Sequence, residues 1–504
     1  IKGIMKKEWG ILLAIFIIVA GIRIFFAFQA DYFSDDYSYF TLRQIEHIKE
    51  TFVPLYGDNL SYGGRTHVFL PLFHYILAFF TTLFNPIIVA KVLPNLFASS
   101  IVFVVYLLVK EITKNENISL FTSVFSAFIP IYFYKTLNTI SLYSISVPLS
   151  VLLLYLFINI DKGANTKLFL ITIIFLMLTH TSVILLVLSL IVYLVLVKIE
   201  DLKLKQSEIE TTLFSAFVML WMYLLVFKKA FLKHGFSFIW QNMPTKYLTT
   251  YFHQIPIWEA IYLIGIIPFV LGLFITYHYL FNRKNKKVYL LISFALTTTC
   301  LLWMKLIKLE FALIFLGVIL VILFGIAYNH LNNYLKTTRF AYIEKPLFVL
   351  ICILFIATSI VPSIMLAKTT IQEQTNPDLI LALNKLKENS PIDARIASSI
   401  SEGHAVTYFS ERKNLADSNF LFLENANEVV SDLDVLFTTI SKIKVNEILD
   451  KYHVDYMVFT PENAQEHKIK KLSVEGDKCF VSNKVNSVQI FRNKCRVIKS
   501  MMIN

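Results

Sequence analysis

Charge is scarce in this chain. Asp, Glu, Lys and Arg together make up 16% of its 504 residues, against roughly 25% in a soluble domain. Hydrophobic residues make up 56% and the mean hydropathy is +0.62, more apolar surface than a globular core can hide. Disorder, a coiled coil and a cytosolic multidomain enzyme are thereby excluded. The 14 glycines exclude a collagen-like chain, and the four cysteines exclude a disulfide scaffold. The chain also lacks a P-loop, a glycine-rich dinucleotide fingerprint, His-Glu-x-x-His, Cys-x-x-Cys and any regular repeat. ATP-driven pumping and zinc chemistry therefore have no support.

What the chain does have is a succession of long apolar runs, the mark of a multi-pass membrane protein. A spanning helix needs about 20 mostly apolar residues. Candidate spans lie at 11–28, 87–109, 118–134, 143–160, 168–178, 183–197, 213–227, 257–279, 288–303, 311–326 and 347–366. The run 68–84, interrupted by Pro71, reads as a span, a re-entrant segment or a helix lying on the membrane. The first run is too long for a cleavable signal and is not followed by Ala-x-Ala-like residues. The runs stop near Lys368. The expected fold is thus a multi-pass α-helical membrane domain of about eleven helices, residues 1–367, and a soluble domain, residues 368–504.

Basic residues set the orientation. The formal charge of +12 sits in short loops between apolar runs, so it reads as a topology signal and not as a nucleic-acid surface. If 68–84 does not cross, the loops carrying Lys110, Lys114, Lys198, Arg283, Lys284, Lys286, Lys287 and Lys336 share one side, which the positive-inside rule makes cytoplasmic. The soluble domain is then extracytoplasmic. Counting 68–84 as a span would put the dense basic loop 282–287 outside, against the rule.

On that topology the outer face carries a long first loop, 29–67, and it is the richest stretch for chemistry. It contains Asp31, Ser34, Asp35, Asp36, Arg43, Glu46, His47, Asp58 and the turn Gly63-Gly64-Arg65. Two adjacent carboxylates repel each other, which suits a pair that binds a cation or takes a substrate proton. Equally, Ser34-Asp35-Asp36 before a helix is capping chemistry. Arg65 after two glycines fits a phosphate or a plain turn. Lys305 and Lys308, near the outer end of a late span, fit either phosphate binding or snorkelling. His180 and His74 read as polar residues packed among helices or facing the site. Glu259 marks either a site residue or an interfacial helix start.

An acidic pair just after the first membrane helix, an aromatic-rich helix ending in Leu42-Arg43, the Gly63-Gly64-Arg65 turn and Pro71-Leu-Phe-His74-Tyr75 resemble the GT-C superfamily of membrane glycosyltransferases. Glu402-Gly403-His404, followed by Tyr408, Glu411, Arg412, Asp417, Asn419 and Phe420, resembles the segment around the Trp-Trp-Asp-Tyr-Gly motif of archaeal oligosaccharyltransferase catalytic subunits. The resemblance implies a GT-C-like fold and a polyprenyl-phosphate- or diphosphate-linked sugar donor. It implies an acceptor glycan, lipid or protein on the outer face, and surrounding membrane lipids as the remaining partner. By the resemblance Asp35 or Asp36 is the base, and Arg65, Lys305 and Lys308 face the donor phosphate. Arg43, His180, Glu259, Glu310, His404 and Arg412 border the substrate, and Asp36 and Glu259 hold a divalent metal, Mg or Mn. The chain departs from the pattern in three places. Asp36 stands seven residues before Arg43 where the family has six. The Trp-Trp-Asp-Tyr-Gly position reads Ser399-Ile400-Ser401-Glu402-Gly403, keeping only the glycine that ends it. The turn from Lys135 to Ser141 holds no carboxylate where a second acidic motif is expected.

In the soluble part, Asn376 and Pro377 open an amphipathic helix to Asn389. Residues 395–398 and 456–461 read as strands and 445–452 as a helix, so an α/β domain is expected. Cys479 and Cys495 flank two β-like runs and either staple a hairpin or stay free; Cys300 and Cys352 lie in spans. The reading is an inverting, Asp-assisted sugar transfer from a lipid-phosphate donor. The rivals are a lipid or polysaccharide transporter and a non-catalytic GT-C scaffold.

Overall fold

The computed structural model describes residues 2–252 and 255–494. The described chain divides into two compact units, and the division is not a single cut. One unit, the membrane body, comprises 1–31, 70–226 and 251–373. The other comprises 32–69, 227–250 and 374–504. The soluble unit thus takes in most of the first long loop and a later loop as well as the C-terminal segment.

Seven helical segments of the described residues are long and apolar enough to cross a membrane, and two bent helix pairs bring the number to nine. The remaining two expected spans are the helices Tyr143–Ile158 and Gly163–Thr179, of 16 and 17 residues, about 24–26 Å each. The segment 68–84 folds as Leu72–Thr81, about 15 Å of helix, half of what the hydrocarbon core requires. Helices such as Lys7–Ala27 carry exposed Ile11, Leu13, Ile17, Ile18 and Phe25, a surface that suits lipid and would aggregate in water.

One expected span is corrected. Residues 257–279 form two helices, Ile257–Ile264 and Ile266–Phe281, bent by 101° at Gly265. Gly265 has φ +103°, which a side chain rarely adopts. The run 118–134 also breaks, by 50°, between Glu116–Ala127 and Pro130–Thr136; Pro130 starts the second helix, where its missing N–H costs nothing. Near the end of the body, the five-residue π-turn Ile356–Ile360 precedes Pro362, whose absent N–H disturbs the regular ladder.

The centre of the body is the 29-residue helix Leu309–Thr337, nearly all of whose apolar residues are buried. Small residues let its neighbours approach. A Cβ on Gly325 would lie 2.4 Å from Thr122 Oγ1, and one on Gly272 would lie 3.0 Å from the Leu320 carbonyl oxygen. In lipid, where helices gain little from excluding water, such close packing holds them together.

The soluble unit is built on a five-stranded sheet of β3 (Arg395–Ala397), β4 (Lys413–Asn414), β5 (Tyr456–Phe459), β6 (Phe480–Val485) and β7 (Val488–Asn493), in the order β4-β3-β5-β7-β6. β3 runs parallel to β4 and β5; β7 is antiparallel to β5 and β6. The helix Pro377–Asn389 is capped by Asn376, whose side chain accepts from the Asp378 N–H at 2.9 Å. A short hairpin of the first loop, β1 (Gly57–Asp58) and β2 (Arg65–Thr66), belongs to the same unit. Cys479 precedes β6; Cys495 lies outside the described residues.

Replacing Gly325 by Val should lower the thermal unfolding temperature of the detergent-solubilised protein. The expected cost is about 1–3 kcal/mol from overpacking, and Gly325→Ala should cost less.

Candidate functional site

Two clusters of polar residues stand out, one in each unit. The cluster in the soluble unit starts at the acidic pair. Asp36 occupies the N-cap position of the helix Tyr37–Thr51, yet makes no side-chain cap bond to it. Its carboxylate instead accepts from the backbone N–H groups of His404, at 2.9 Å, and Ala405, at 2.8 Å. These are buried amides at the start of a helical turn, where no carbonyl of the turn itself can meet them, and an anion satisfies them. Burial raises the Asp36 carboxyl well above its ordinary range, more than these two amides lower it; Asp417 and Glu402 push the same way as burial. Asp35 accepts from the Ser38 hydroxyl.

Gly403 is the residue that survives from the expected motif, and the structure gives the reason. A Cβ there would lie 2.2 Å from the Ala416 carbonyl oxygen and 2.6 Å from the Asp417 Cβ. Glu402, beside it, is buried and accepts from Thr460 Oγ1 at 2.6 Å and Asn463 Nδ2 at 3.2 Å. Burial, opposed only by neutral donors, pushes its carboxyl up to about 7.

His404 is buried, with its ring 6.1 Å from that of Tyr37 and 5.3 Å from that of Phe40. Its Nε2 lies 3.3 Å from Ser418 Oγ and 3.9 Å from Asp417 Oδ1, while Nδ1 has no hydrogen-bond partner among the described residues. Burial lowers it to about 4, so the ring is neutral at pH 7.

Arg65, expected at a donor phosphate, is engaged within the unit. It donates to Asp417 Oδ1 at 2.6 Å, to Ser61 Oγ at 2.7 Å and to the Asn419 carbonyl oxygen. Asp417 also accepts from Ser61 Oγ at 2.5 Å and Asn414 Nδ2 at 3.1 Å. Burial would raise the Asp417 carboxyl; the Arg65 guanidinium, with the Ser61 hydroxyl, outweighs it and holds the carboxyl well below the usual range. Gly63 sits in this turn with φ +75°, and a Cβ there would meet the Arg395 guanidinium at 2.2 Å. Arg43 forms a two-pronged pair with Asp58, at 2.8 and 2.9 Å. Both border a groove of about 340 Å³ that Glu46, His47, Tyr408 and Glu411 also line. Arg412 donates to the Lys387 and Ser390 carbonyl oxygens at 2.6 and 2.8 Å, closing the end of the helix Pro377–Asn389. Sequence reading did not single out Asp58, Asn414 or Asp417 as partners, because what selects them is hydrogen bonding across as many as 356 positions.

The second cluster lies in the membrane body. Lys308 and Glu310 open the helix Leu309–Thr337, and Glu310 pairs with Lys135 at 2.5 Å. Lys308 is within electrostatic reach of Glu310 and Lys135, and His180 within reach of Lys308. The His180 ring stacks 5.9 Å from Phe311 and lies 5.4 Å from Tyr143. Lys305 stands exposed in the preceding turn with φ 55°. Glu259 lies in the first turn of the short helix Ile257–Ile264, and His74 is buried beside Phe73. Lys135 escaped the sequence reading because that turn was searched for acids.

Neither unit, taken by itself, gathers a ligand set for a divalent metal among the described residues. No three His, Cys, Asp or Glu side chains gather as ligands among the described residues, and both Asp36 oxygens are taken by backbone amides.

No family model matches the chain, and no curated protein matches it in sequence. Solved structures do match in fold. The Archaeoglobus fulgidus oligosaccharyltransferase tethered with an acceptor peptide containing the NVT sequon superposes with a TM-score of 0.68 at 15% identity, covering 90% of this chain and 69% of that one. The same organism's archaeal oligosaccharyltransferase in complex with an inhibitory peptide and a dolichol-phosphate gives 0.66 at 15% identity, with 90% and 69% covered. ArnT from Cupriavidus metallidurans bound to undecaprenyl phosphate gives 0.54 at 11% identity, with 95% and 97% covered. At these identities the likeness is one of fold: the chain has the GT-C-like architecture, a multi-pass helical body with a sheet-containing C-terminal domain.

Two substitutions test the soluble cluster. Asp417→Asn leaves Arg65 buried without its counter-charge and should cost about 3–5 kcal/mol, read as a lowered unfolding temperature. Glu402 is raised from 4.5 to about 7, so its contribution is fully present below pH 4.5 and is lost as pH rises through 7. That is a loss on the order of 3 kcal/mol. Glu402→Gln should flatten the fall in stability between pH 4.5 and 8, whereas the Asp417 contribution runs the other way and is lost only below about pH 4.

Proposed function

We propose that the protein is a membrane glycosyltransferase that moves a sugar from a polyprenyl-phosphate or diphosphate donor to an acceptor hydroxyl, or comparable nucleophile, on the outer membrane face. The single observation that carries this reading is the fold, which matches a polyprenyl-phosphate-bound protein over 95% of this chain and 97% of the other. The position of the acidic pair, directly after the first apolar helix, agrees with it. In the reaction the acceptor oxygen attacks the anomeric carbon from the face opposite the leaving group. The sugar–phosphate C–O bond breaks with inversion, and the acceptor proton passes to Asp35 or Asp36. Cationic residues, Lys305 and Lys308 among them, offset the charge on the leaving phosphate.

The same reading puts the soluble unit outside the cell membrane. Cys479 and Cys495 are then the pair expected to be oxidised. The acceptor is left as a class, because Ser399-Ile400-Ser401-Glu402 stands where the motif it resembles has Trp-Trp-Asp-Tyr.

A transporter is the second reading, and one observation favours it: Arg23 and Lys91 are buried in the membrane body, 1% and 4% exposed. Ionisable groups at such depth often mark a transport path. Their bonds, however, go to neighbouring helices, Arg23 to Asn95 and Thr136 and Lys91 to the Ala27 and Ala30 carbonyl oxygens.

The test is sugar transfer by the purified protein from radiolabelled polyprenyl-linked sugars. Removing a general base should cost about 10²–10⁴ in rate, so either Asp35→Asn or Asp36→Asn should lose that much while remaining folded. If Asp36 is the base, its raised pKa sets the acid limb: transfer should fall as pH drops through a value above the ordinary carboxylate range. Transfer unaffected by both substitutions would leave the pair as structural. Labelled lipid crossing between leaflets, with no transfer from any donor, would establish the transporter.

A further inference from the structure

One stretch of the soluble unit, residues 227–250, begins as the continuation of the long helix Gln206–His234 and carries large apolar side chains on its surface. Leu232 and Phe236 are 73% and 75% exposed, and Phe231 and Ile239 are exposed as well. We propose that residues 228–240 are an interfacial anchor for the soluble unit. Leu232, Phe236 and Ile239 sink into the surface of the adjoining bilayer leaflet, and Lys228 and Lys229 bind the headgroups of anionic lipids. The inference rests on the membrane body and not on the proposed activity.

Three observations carry it. The first is continuity with a lipid-facing surface. Leu213, Phe217, Leu220 and Leu224 recur every three or four residues among the exposed side chains of the helix Gln206–His234, which places them in one stripe along it. Lys228 and Leu232 are the next two positions of that stripe. The helix has 29 residues, about 43 Å. That exceeds the hydrocarbon core, about 30 Å, and matches the bilayer with its headgroups, about 40–45 Å. Its last turns therefore reach headgroup level, where a lysine stem lies along apolar surface while its ammonium stays in polar ground.

The second is shape. Gly235, with φ +57°, ends the helix, a backbone conformation that favours glycine. A short 3-10 turn, Gly235–Trp240, follows. The Phe231 ring lies 5.6 Å from that of Phe236 and 5.9 Å from that of Phe238, and the Phe238 ring lies 6.2 Å from that of Phe227. These contacts bring the turn back along the end of the helix and hold it there, so its exposed side chains need little ordering on insertion. The same stretch is tied into the soluble unit. Lys233 pairs with Glu424 at 3.0 Å, Asn242 donates to the Leu423 carbonyl oxygen at 2.9 Å, and Lys246 meets both Asp434 oxygens at 2.7 and 2.8 Å.

The third is charge. Lys228 and Lys229 are exposed and make no ion pair among the described residues. Apolar and aromatic side chains beside open lysines are the composition of a surface that lies on an anionic bilayer. A protein-binding patch is instead depleted of lysine.

The experiment is photo-cross-linking of the full-length protein in nanodiscs of phosphatidylcholine and phosphatidylglycerol in equal parts. Photoreactive benzoylphenylalanine replaces Leu232, Phe236 or, as the control, Ile443, an apolar residue 74% exposed elsewhere on the soluble unit. Lipid adducts should form at positions 232 and 236 and be far scarcer at 443. Phosphatidylglycerol should be enriched in the adducts, by about fivefold for each lysine in contact. Lys228→Gln combined with Lys229→Gln should abolish the enrichment, and the corresponding pair of Lys→Arg replacements should keep it.

No lipid adduct at either 232 or 236 would overturn the anchor. A cross-linked dimer in its place would assign the patch to a second copy of the chain. Lipid adducts as abundant at 443 would overturn the assignment of this stretch in particular. Adducts without phosphatidylglycerol enrichment, or enrichment that survives the Gln pair, would overturn the part given to the two lysines. A protein that anchors in this way but transfers no sugar would keep this inference and lose the proposed activity.

Discussion

The soluble unit depends on one buried carboxylate. Asp417 is met by a guanidinium, a hydroxyl and an amide, and the residues that meet it come from both ends of the chain: Ser61 and Arg65 from the first loop, Asn414 from the C-terminal segment. The Tyr62 hydroxyl adds a bond to the Asp417 carbonyl oxygen at 2.6 Å, and the Tyr62 N–H one to Asn414 Oδ1. The unit is assembled from three stretches of chain, so connectivity alone cannot hold the hairpin in place. The pin does, and it is directional where apolar burial is not. A hairpin shifted by one residue would strand Asp417 or Arg65 without a partner, at a cost of several kcal/mol in a buried setting. Gly63 and Gly403 are consequences of this arrangement: each removes a Cβ that would otherwise occupy space taken by Arg395 or by the Asp417 segment.

Two buried carboxylates of this unit, Asp417 and Glu402, and the half-buried Asp36 show what decides ionisation. All three pay desolvation, which favours the neutral acid. Asp417 has a full positive charge in contact and remains strongly acidic. Glu402 has only a hydroxyl and an amide and is pushed to about 7. Asp36 has two backbone amides and two like-charged neighbours, and its carboxyl rises. Neutral donors partly replace water, but they do not replace a counter-charge at this depth. Asp36 meets the amides of His404 and Ala405, beside Glu402, the second raised carboxyl. Glu402 therefore changes charge near neutral pH, and Asp36 above the ordinary carboxylate range.

Much of the fold was legible because its signals are local. Apolar run length marked the membrane helices, and the short reach of Leu72–Thr81 followed from Pro71 and the charge pattern. Asn376 with Pro377 announced a helix start that the Asp378 amide confirms. Tyr456–Phe459 was readable as a buried strand from its uninterrupted apolar residues. What failed to show was conformational or long-range. The right-angle bend at Gly265 leaves no trace in hydropathy, since glycine in an apolar run is unremarkable until its φ is known. Ser34-Asp35-Asp36 looked like a cap for the helix that follows, and Asp36 does satisfy helix-start amides, but those of His404 and Ala405. Arg65 could be read as a phosphate ligand or part of a plain turn, because a sequence displays charge and not its partner.

The membrane body presents the complementary problem, positive charge with few acids to meet it. Arg23 is almost fully buried and, among the described residues, bonds to the neutral Asn95 and Thr136, with the Phe133 ring 4.7 Å from its guanidinium carbon. Holding a cation there is expensive, and stability alone gives a poor reason to keep it, since an apolar residue would pack the helices as well. Its position gives a better reason. Arg23 fixes the end of the helix Pro130–Thr136, the one that carries Lys135, and adds unneutralised positive potential behind it. In a low-dielectric surround that potential reaches further than it would in water.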